Sequence, residues 1–501
     1  MSVLEAGRRS PLRRLAMLTA ALLTAPVFSV VMGIAAATPA HAAGSPGAPV
    51  PFTEYLAATS SNVATNGTVL PVDYDLGTLQ SEATGRQAVE LIGQGQYISF
   101  TLASPANAVD FHYSIPDSLG GGGITEPLDL YAGGSLATSL SLSSQYAWLY
   151  GTQATVTNTP SVGEADTMVP HDFFDDVRYQ FSSTLQAGTV VKLQVDPGDD
   201  SPWYAINTAD FYNVAAPIAQ PANAINVTQS PYNANSTGSA DDTQALQNAI
   251  NAASSSGQTV YIPQGTYSIS NPLNVNNVTV EGAGEWYTTL TGSNVEFAGN
   301  GSNINVSNLA LFGNVNTRVD SDGSVNGFNG TFSSSTINDV WIQNTKVGAW
   351  ILGPTNGLTI ENVQIQDTTA DGVNFNAAAG AITNSTVEDS FLRNTQDDGL
   401  AMWAENSGDT NDTFTQNTVD SPGVPTTSAS TATPPDRRSR TTCCRTRSPA
   451  AAASASASGS APPRSPAPPR SAATSWCAPA SSTRAGTTAS APSGSGRSRA
   501  T

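Results

Sequence analysis

Ile337-Asn338-Asp339-Val340-Trp341-Ile342-Gln343-Asn344-Thr345 is followed by Ile360-Glu361-Asn362-Val363-Gln364-Ile365-Gln366-Asp367-Thr368 and then by Val387-Glu388-Asp389-Ser390-Phe391-Leu392-Arg393-Asn394-Thr395. The three lines superpose residue on residue. A fainter copy begins at Phe414, and earlier ones at Val280 and Val306, so successive starts are separated by 26, 31, 23, 27 and 27 residues. Within each copy apolar residues recur at strand-like intervals, bounded by Asn, Asp, Gly and Thr. Short strands that return every two dozen residues or so predict a parallel β-solenoid, each coil burying its apolar face on its neighbours. A β-sandwich needs spacings of roughly 8–12 residues and gives no reason for copies to align.

Two copies run on into an Asp-Gly pair: Thr369-Ala370-Asp371-Gly372 and Gln396-Asp397-Asp398-Gly399. Coils stack about 4.8 Å apart, so Asp371 and Asp398 are expected one above the other, with Asp397 alongside and Val347 in the same column one coil earlier. Strict alternation would send Asp371 to the face of Val373 and Phe375, which read as core. A bend at Gly372 and Gly399 is expected to release the Asp from that parity. Like charges this close do not all ionise, so one pKa should rise and supply a general acid. A single Asp-Gly is an ordinary turn; three acids in register point instead to acid–base chemistry.

Ala370-Asp371-Gly372-Val373-Asn374-Phe375, Asn384-Ser385-Thr386-Val387-Glu388 and Arg393-Asn394-Thr395-Gln396-Asp397-Asp398-Gly399-Leu400-Ala401-Met402-Trp403 resemble glycoside hydrolase family 87, the bacterial α-1,3-glucanases and mycodextranases. The resemblance runs from about residue 50 to about 422. Ala240-Asp241-Asp242-Thr243, Tyr261-Ile262-Pro263-Gln264-Gly265-Thr266-Tyr267 and Val280-Glu281-Gly282-Ala283-Gly284 resemble the opening of pectin-lyase-like β-helices in general and speak to fold alone. The family likeness implies that Asp371, Asp397 and Asp398 are the catalytic acids of an inverting endo-hydrolase, cutting neutral α-glucan with a water nucleophile. Trp350 and Trp403 face outward by parity and, with Asn374 and Glu405, are candidates to line a sugar cleft. No spacing matches a calcium loop. No metal or cofactor is assigned, although the oxygen-rich turns leave room for a structural calcium ion.

The fold class expected is all-β: an N-terminal β-sandwich resembling a carbohydrate-binding module, then a right-handed parallel β-helix lacking its C-terminal coils. The sandwich is expected over 50–218 as a separate domain, from alternating stretches such as Arg86–Leu91, Gly95–Phe100, Val109–Ser114 and Val191–Val195. Tyr146, Trp148, Tyr150, Trp203 and Tyr204 are read mostly as core aromatics. His112 and His171 lack a ligand pattern and receive no role. A helix over Ala245, Leu246, Ala249 and Ile250, capped by Asp241-Asp242-Thr243, is expected to bridge the domains. The catalytic β-helix is assigned to 219–422.

The N-terminus carries Arg8-Arg9 and Arg13-Arg14, an apolar run from Leu15 to Ala37, and Ala40-His41-Ala42. A secretory signal over 1–42, with a twin-Arg route open, and a linker over 43–49 are expected, hence an extracellular protein. Between residues 43 and 422 there are 37 acids and six bases, Arg86, Arg178, Lys192, Arg318, Lys346 and Arg393. Such a surface repels nucleic acid and pectate alike. The expected partner is a neutral polysaccharide, an α-glucan, with no nucleic acid and no membrane, acted on by a monomer.

From 423 to 501 the composition changes to ten arginines, one acid, all three cysteines, and runs of Ala, Ser and Pro. This is read as a disordered tail or, more sharply, as a frameshift near residue 422. Val424-Pro425-Thr426-Thr427-Ser428-Ala429-Ser430-Thr431-Ala432, read one base earlier, permits Ala-Asn-Asn-Ile-Gly-Ile-Tyr-Gly, which restores apolar alternation. Poor folding or low activity of this chain is then expected, since end coils need a polar cap. Two other readings stay open: a different β-helix polysaccharide enzyme, polygalacturonase-like or a lyase, and a non-catalytic glycan-binding solenoid.

Overall fold

The computed structural model describes residues 47–74, 78–118, 122–147, 173–316, 318, 325–404 and 407–422, and the backbone alone of 428–432 and 438–446. The expected signal segment, Trp148, Tyr150, His171 and Glu405 lie outside the described residues.

The repeat alignment is the hydrogen-bonding register of the solenoid. Val260, Val280, Val306, Ile337, Ile360, Val387 and Phe414 pair in one continuous parallel column. A second column joins Phe297, Phe328, Ala349, Val373 and Leu400 on another sheet. All of these belong to one core of Val, Ile, Leu and Phe that runs the length of the coil. Phe375 is fully buried and meets Phe414 edge-on at 5.4 Å.

The Asn and Asp residues that bound each copy are its corners. Asn308, Asp339, Asn362, Asp389 and Gln416 form one left-handed column, Asn344, Asp367, Asn394 and Ser421 a second, and Asn277, Asn303, Ser334, Gly357, Asn384 and Asn411 a third, with φ between +48° and +73°. Asn and Asp tolerate this region because their short side chains bond locally, where a branched residue is strained. One such residue at each corner of a coil turns the strand without breaking the ladder.

The helix Thr243–Ser256 buries Leu246, Ala249, Ile250 and Ala253 in the solenoid core. It therefore plugs the first coils rather than bridging two domains. Its capping differs in detail from expectation: the Asp242 side chain makes no cap bond, and Asp241 Oδ1 accepts from Thr243 N at 3.0 Å.

The sandwich is antiparallel. One sheet orders Thr68–Val69, Val89–Leu91, Tyr204–Tyr212, Ala106–Ser114 and Asp175–Leu185, with Phe52–Leu56 beside Tyr204–Tyr212; the other orders Val63–Thr65, Tyr97–Thr101, Val190–Gln194, Thr125–Ala132 and Ser135–Ser143. Its core is separate from that of the solenoid. The sandwich nevertheless packs closely against the solenoid. Every residue of Tyr204–Tyr212 is buried, because one face meets the sandwich core and the other meets the solenoid. Phe52, Ala108 and Tyr212 pack on Ala310, Trp341 and Phe391, and Arg178 lies over Trp341 at 4.5 Å and Phe312 at 4.4 Å. His112 is likewise not isolated: it is buried, stacks on Phe174 at 4.6 Å, and its Nδ1 lies 3.2 Å from Asp176. Tyr204 is core, as read from the sequence, whereas half-buried Tyr146 donates its hydroxyl to Asn314 Oδ1 at 2.9 Å.

The ladder also passes the expected boundary at residue 422. Ser428–Ala432 pairs with Leu400–Ala404, and Arg438–Thr446 with Asp409–Asp420. An open strand edge offers backbone donors and acceptors to any following segment that can extend.

Candidate active site

Thr345, Thr368 and Thr395 end their copies, and each donates its hydroxyl to the carbonyl two residues on, at 3.1, 3.0 and 3.3 Å. Gly348, Gly372 and Gly399 follow. The earlier coil has two residues between Thr and Gly, Lys346 and Val347; the later two coils have three. That added residue and the bends at Gly372 and Gly399 take the preceding Asp out of strand alternation. The stacking is direct: Gly372 N donates to the Asp398 carbonyl at 2.9 Å, and Gly348 N to that of Asp371 at 3.1 Å.

Gly348 and Gly372 are sterically required. A Cβ on Gly372 would sit 2.5 Å from the Gly399 carbonyl oxygen and against Leu392 Cδ2; one on Gly348 would meet the Gly372 oxygen at 2.5 Å. Gly372→Ala is expected to cost about 3 kcal/mol through overpacking. A urea melt reads this directly, and a loss below about 1 kcal/mol would show that the bend has room.

Asp371 and Asp398 are 7% and 6% exposed, and the Asp397 side chain is 29% exposed. One oxygen from each lies within 4.8 Å of the others. Asp371 Oδ1 accepts from Asp398 N at 3.1 Å, and Oδ2 accepts from Asn374 Nδ2 at 2.9 Å. Asp397 Oδ1 accepts from Asp398 N at 3.1 Å, and its Oδ2 forms an ion pair with Arg318 Nη1 at 2.6 Å. Burial, and then the Asp397 and Asp398 charges, push the Asp371 carboxyl up to about 8. At neutral pH the trio thus retains a proton. The oxygen spacing also suits a divalent cation.

The other candidates fall around the trio. Trp350, Asn374 and Ala401 share one column, Leu352, Asn376 and Trp403 the next outward one. Both tryptophans are half-buried, and Trp403 Nε1 is buried without a hydrogen-bond partner among the described residues. Asn374 is buried as a ligand of Asp371, not open to solvent. Sequence reasoning missed Arg318. It belongs to a non-repeating segment between Ile304–Phe312 and Phe328–Ser333, which no alignment of copies can place. The available signal was scarcity, since Arg318 is one of six bases against 37 acids in residues 43–422.

A parallel β-helix with stacked acids at a bend, the Asp371 carboxyl raised by burial, carries the groups that acid–base hydrolysis of a polysaccharide requires. Residues 49–214 match the model of α-1,3-glucanase catalytic domain D1, and residues 224–433 match that of rhamnogalacturonase A/epimerase, pectate lyase-like. Among solved structures, the catalytic unit of a thermostable family 87 α-1,3-glucanase from Streptomyces thermodiastaticus strain HF3-3 is 37% identical, with a TM-score of 0.67, over 77% of this chain and 66% of that one. The Agl-KA catalytic domain is 29% identical over 75% and 68%, TM-score 0.66. A family 87 α-1,3-glucanase catalytic domain in complex with nigerose is 26% identical over 75% and 66%, TM-score 0.64. No curated protein matches the chain. The chain is similar to the glycoside hydrolase family 87 catalytic units through both the sandwich and the β-helix. It spans 66% of the length of the Streptomyces catalytic unit.

Proposed function

We propose that this chain is a secreted, monomeric hydrolase of α-1,3-glucan in which Asp371, Asp397 and Asp398 carry acid–base catalysis. The observation that carries this reading is the trio itself: three carboxyl groups with oxygens within 4.8 Å of one another, one raised by burial to about 8, one paired with Arg318. The shared proton serves the glycosidic oxygen as the bond breaks, and an ionised partner takes a proton from the attacking water. Crystals of a related domain support the assignment. Three of its Asp→Ala variants, two at adjacent positions, were solved with nigerose or tetrasaccharides, and here Asp397 and Asp398 are adjacent. Half-buried Trp350 and Trp403 offer rings to a sugar. The family likeness favours inversion, although the oxygens are closer than the roughly 6.5–9.5 Å usual for inverting carboxyl pairs.

Reducing-sugar release from α-1,3-glucan, compared with pectate, tests the substrate. Release from pectate alone would transfer the reading to a polygalacturonase-like enzyme, and an unsaturated product would mark a lyase. Proton NMR of the first product tests stereochemistry: inversion delivers the β-anomer, and an α-anomer would end that part of the proposal.

The composition change after residue 422 supports a frameshift in the coding sequence, with weakened activity as its consequence. Resequencing this codon region checks the frame. A frame-corrected product is expected to hydrolyse glucan at least about tenfold faster than the 501-residue chain, because regular apolar coils would follow residue 422 in place of the Arg-, Ala- and Ser-rich segment. Equal rates would defeat the frameshift reading.

A further inference from the structure

Gln343, Gln366, Arg393 and Asp420 pair into one column through four successive coils. Each member reaches the sandwich. Gln343 Nε2 donates to Asp175 Oδ1 and to the Asp176 carbonyl, both at 3.0 Å. Gln366 Nε2 donates to Asp110 Oδ2 at 3.4 Å, and Arg393 Nη2 to Asp210 Oδ2 at 2.6 Å. Asp420 Oδ2 accepts from Thr84 Oγ1 at 2.8 Å. Four or five residues further along the first three coils stand Val347, Asp371 and the Asp397–Asp398 pair.

Arg393 is the strongest of these ties. It is fully buried, with Glu54 at 3.5 Å, Asp176 at 3.6 Å and Asp420 at 4.0 Å in addition to Asp210. Three of those carboxylates belong to the sandwich and one to the next coil. A guanidinium holds several oxygens in fixed directions, which a point charge does not. Solenoid coils contact only their neighbours, so a non-repeating wall that grips each coil at a named residue sets where that coil sits.

We propose that the sandwich is a positioning element for the carboxylate trio, with Arg393 as the positioning residue that fixes the coil of Asp397 and Asp398 against it. This rests on the hydrolase reading for its kinetic consequence only. A displacement of about 1 Å at a reacting group costs on the order of 100-fold in rate, so the grip acts on turnover more than on substrate affinity. The domain then needs no glycan site of its own.

The test compares Arg393→Lys with Gln343→Met in the full chain. Gln343 makes the same kind of tie, but its coil carries Val347 where the acids stand. Arg393→Lys is expected to lower kcat about 30- to 100-fold with KM changed less than about threefold. Gln343→Met is expected to lower the melting temperature with kcat within about twofold. Amide hydrogen exchange, which needs no turnover, should be at least about tenfold faster at residues 396–399 in Arg393→Lys and unchanged there in Gln343→Met. Should Arg393→Lys not fold, Asp210→Asn, which keeps an acceptor, is expected to move the same two readouts in the same direction. Unchanged kcat and unchanged exchange in the folded Arg393 or Asp210 variant would overturn the proposal. A parent inert on every glucan would instead count against the hydrolase reading, and the exchange comparison would still decide the brace.

Discussion

Asp398→Asn and Asp371→Asn are each expected to lower the rate of α-1,3-glucan hydrolysis about a thousand-fold while oligosaccharide binding changes little. Proton transfer by a placed carboxyl contributes about 10²–10⁴-fold, and an amide keeps the shape of the side chain but holds no transferable proton. Both residues are buried against one another: Asp398 N bonds Asp371 Oδ1 at 3.1 Å. A loss from misfolding must therefore be excluded. Far-ultraviolet circular dichroism and nigero-oligosaccharide titration serve that purpose, and initial rates on insoluble glucan give the effect. Less than a tenfold loss in a folded Asp398→Asn protein would remove Asp398 from the chemistry. Asp397→Asn acts differently, because it also breaks the 2.6 Å ion pair with Arg318.

The second large effect is alkaline destabilisation. Burial pushes Asp371 to about 8, Glu285 to about 7, and Asp175 to about 6. In the unfolded chain such carboxyls ionise near 4. The folded protein therefore keeps protons that the unfolded chain releases. The resulting stability is fully present below about pH 4, declines as pH rises, and is gone above about pH 8. A single deeply buried group of this kind contributes a slope of up to about 1.4 kcal/mol per pH unit between its two pKa values. The melting temperature should accordingly fall from pH 5 to pH 8, and fall less steeply in Asp371→Asn. A flat or rising profile across that window would show that these carboxyls are ionised in the folded state. The same proton sets activity: hydrolysis that needs a protonated carboxyl declines as pH passes the value at which the trio loses it.

Much of the fold was legible in the chain because a solenoid writes its geometry as a local pattern. Val280, Val306, Ile337, Ile360, Val387 and Phe414 align in sequence for the same reason that they pair in space: each coil repeats the same turns. The column of Asp371 and Asp398 was legible for that reason too. Less visible was why Asp371 leaves the core face. The single added residue between Thr368 and Gly372, relative to Thr345 and Gly348, carries that information, and alternation alone concealed it.

The sandwich was legible as strands but not as a partner. Thr208, Asp210 and Tyr212 alternate with core residues as an exposed face would, yet all three are buried. Buried polar groups on a sheet need partners from outside it. The sequence names Arg393 and Gln364, but nothing local joins them to Asp210 and Tyr212, 183 and 152 residues away. His112 was passed over for the same reason, since its neighbour Asp176 lies across the sheet.

The chain alone determined the period, the left-handed corners at Asn and Asp, and the registration of the acids, because these follow from residues that interact through a repeating backbone ladder. Only the tertiary structure decided that burial raises the Asp371 carboxyl, that Arg318 meets Asp397, and that the sandwich packs against the coils. Those depend on burial and on non-repeating segments, where charge is set by what lies nearby in space and not by position in the repeat.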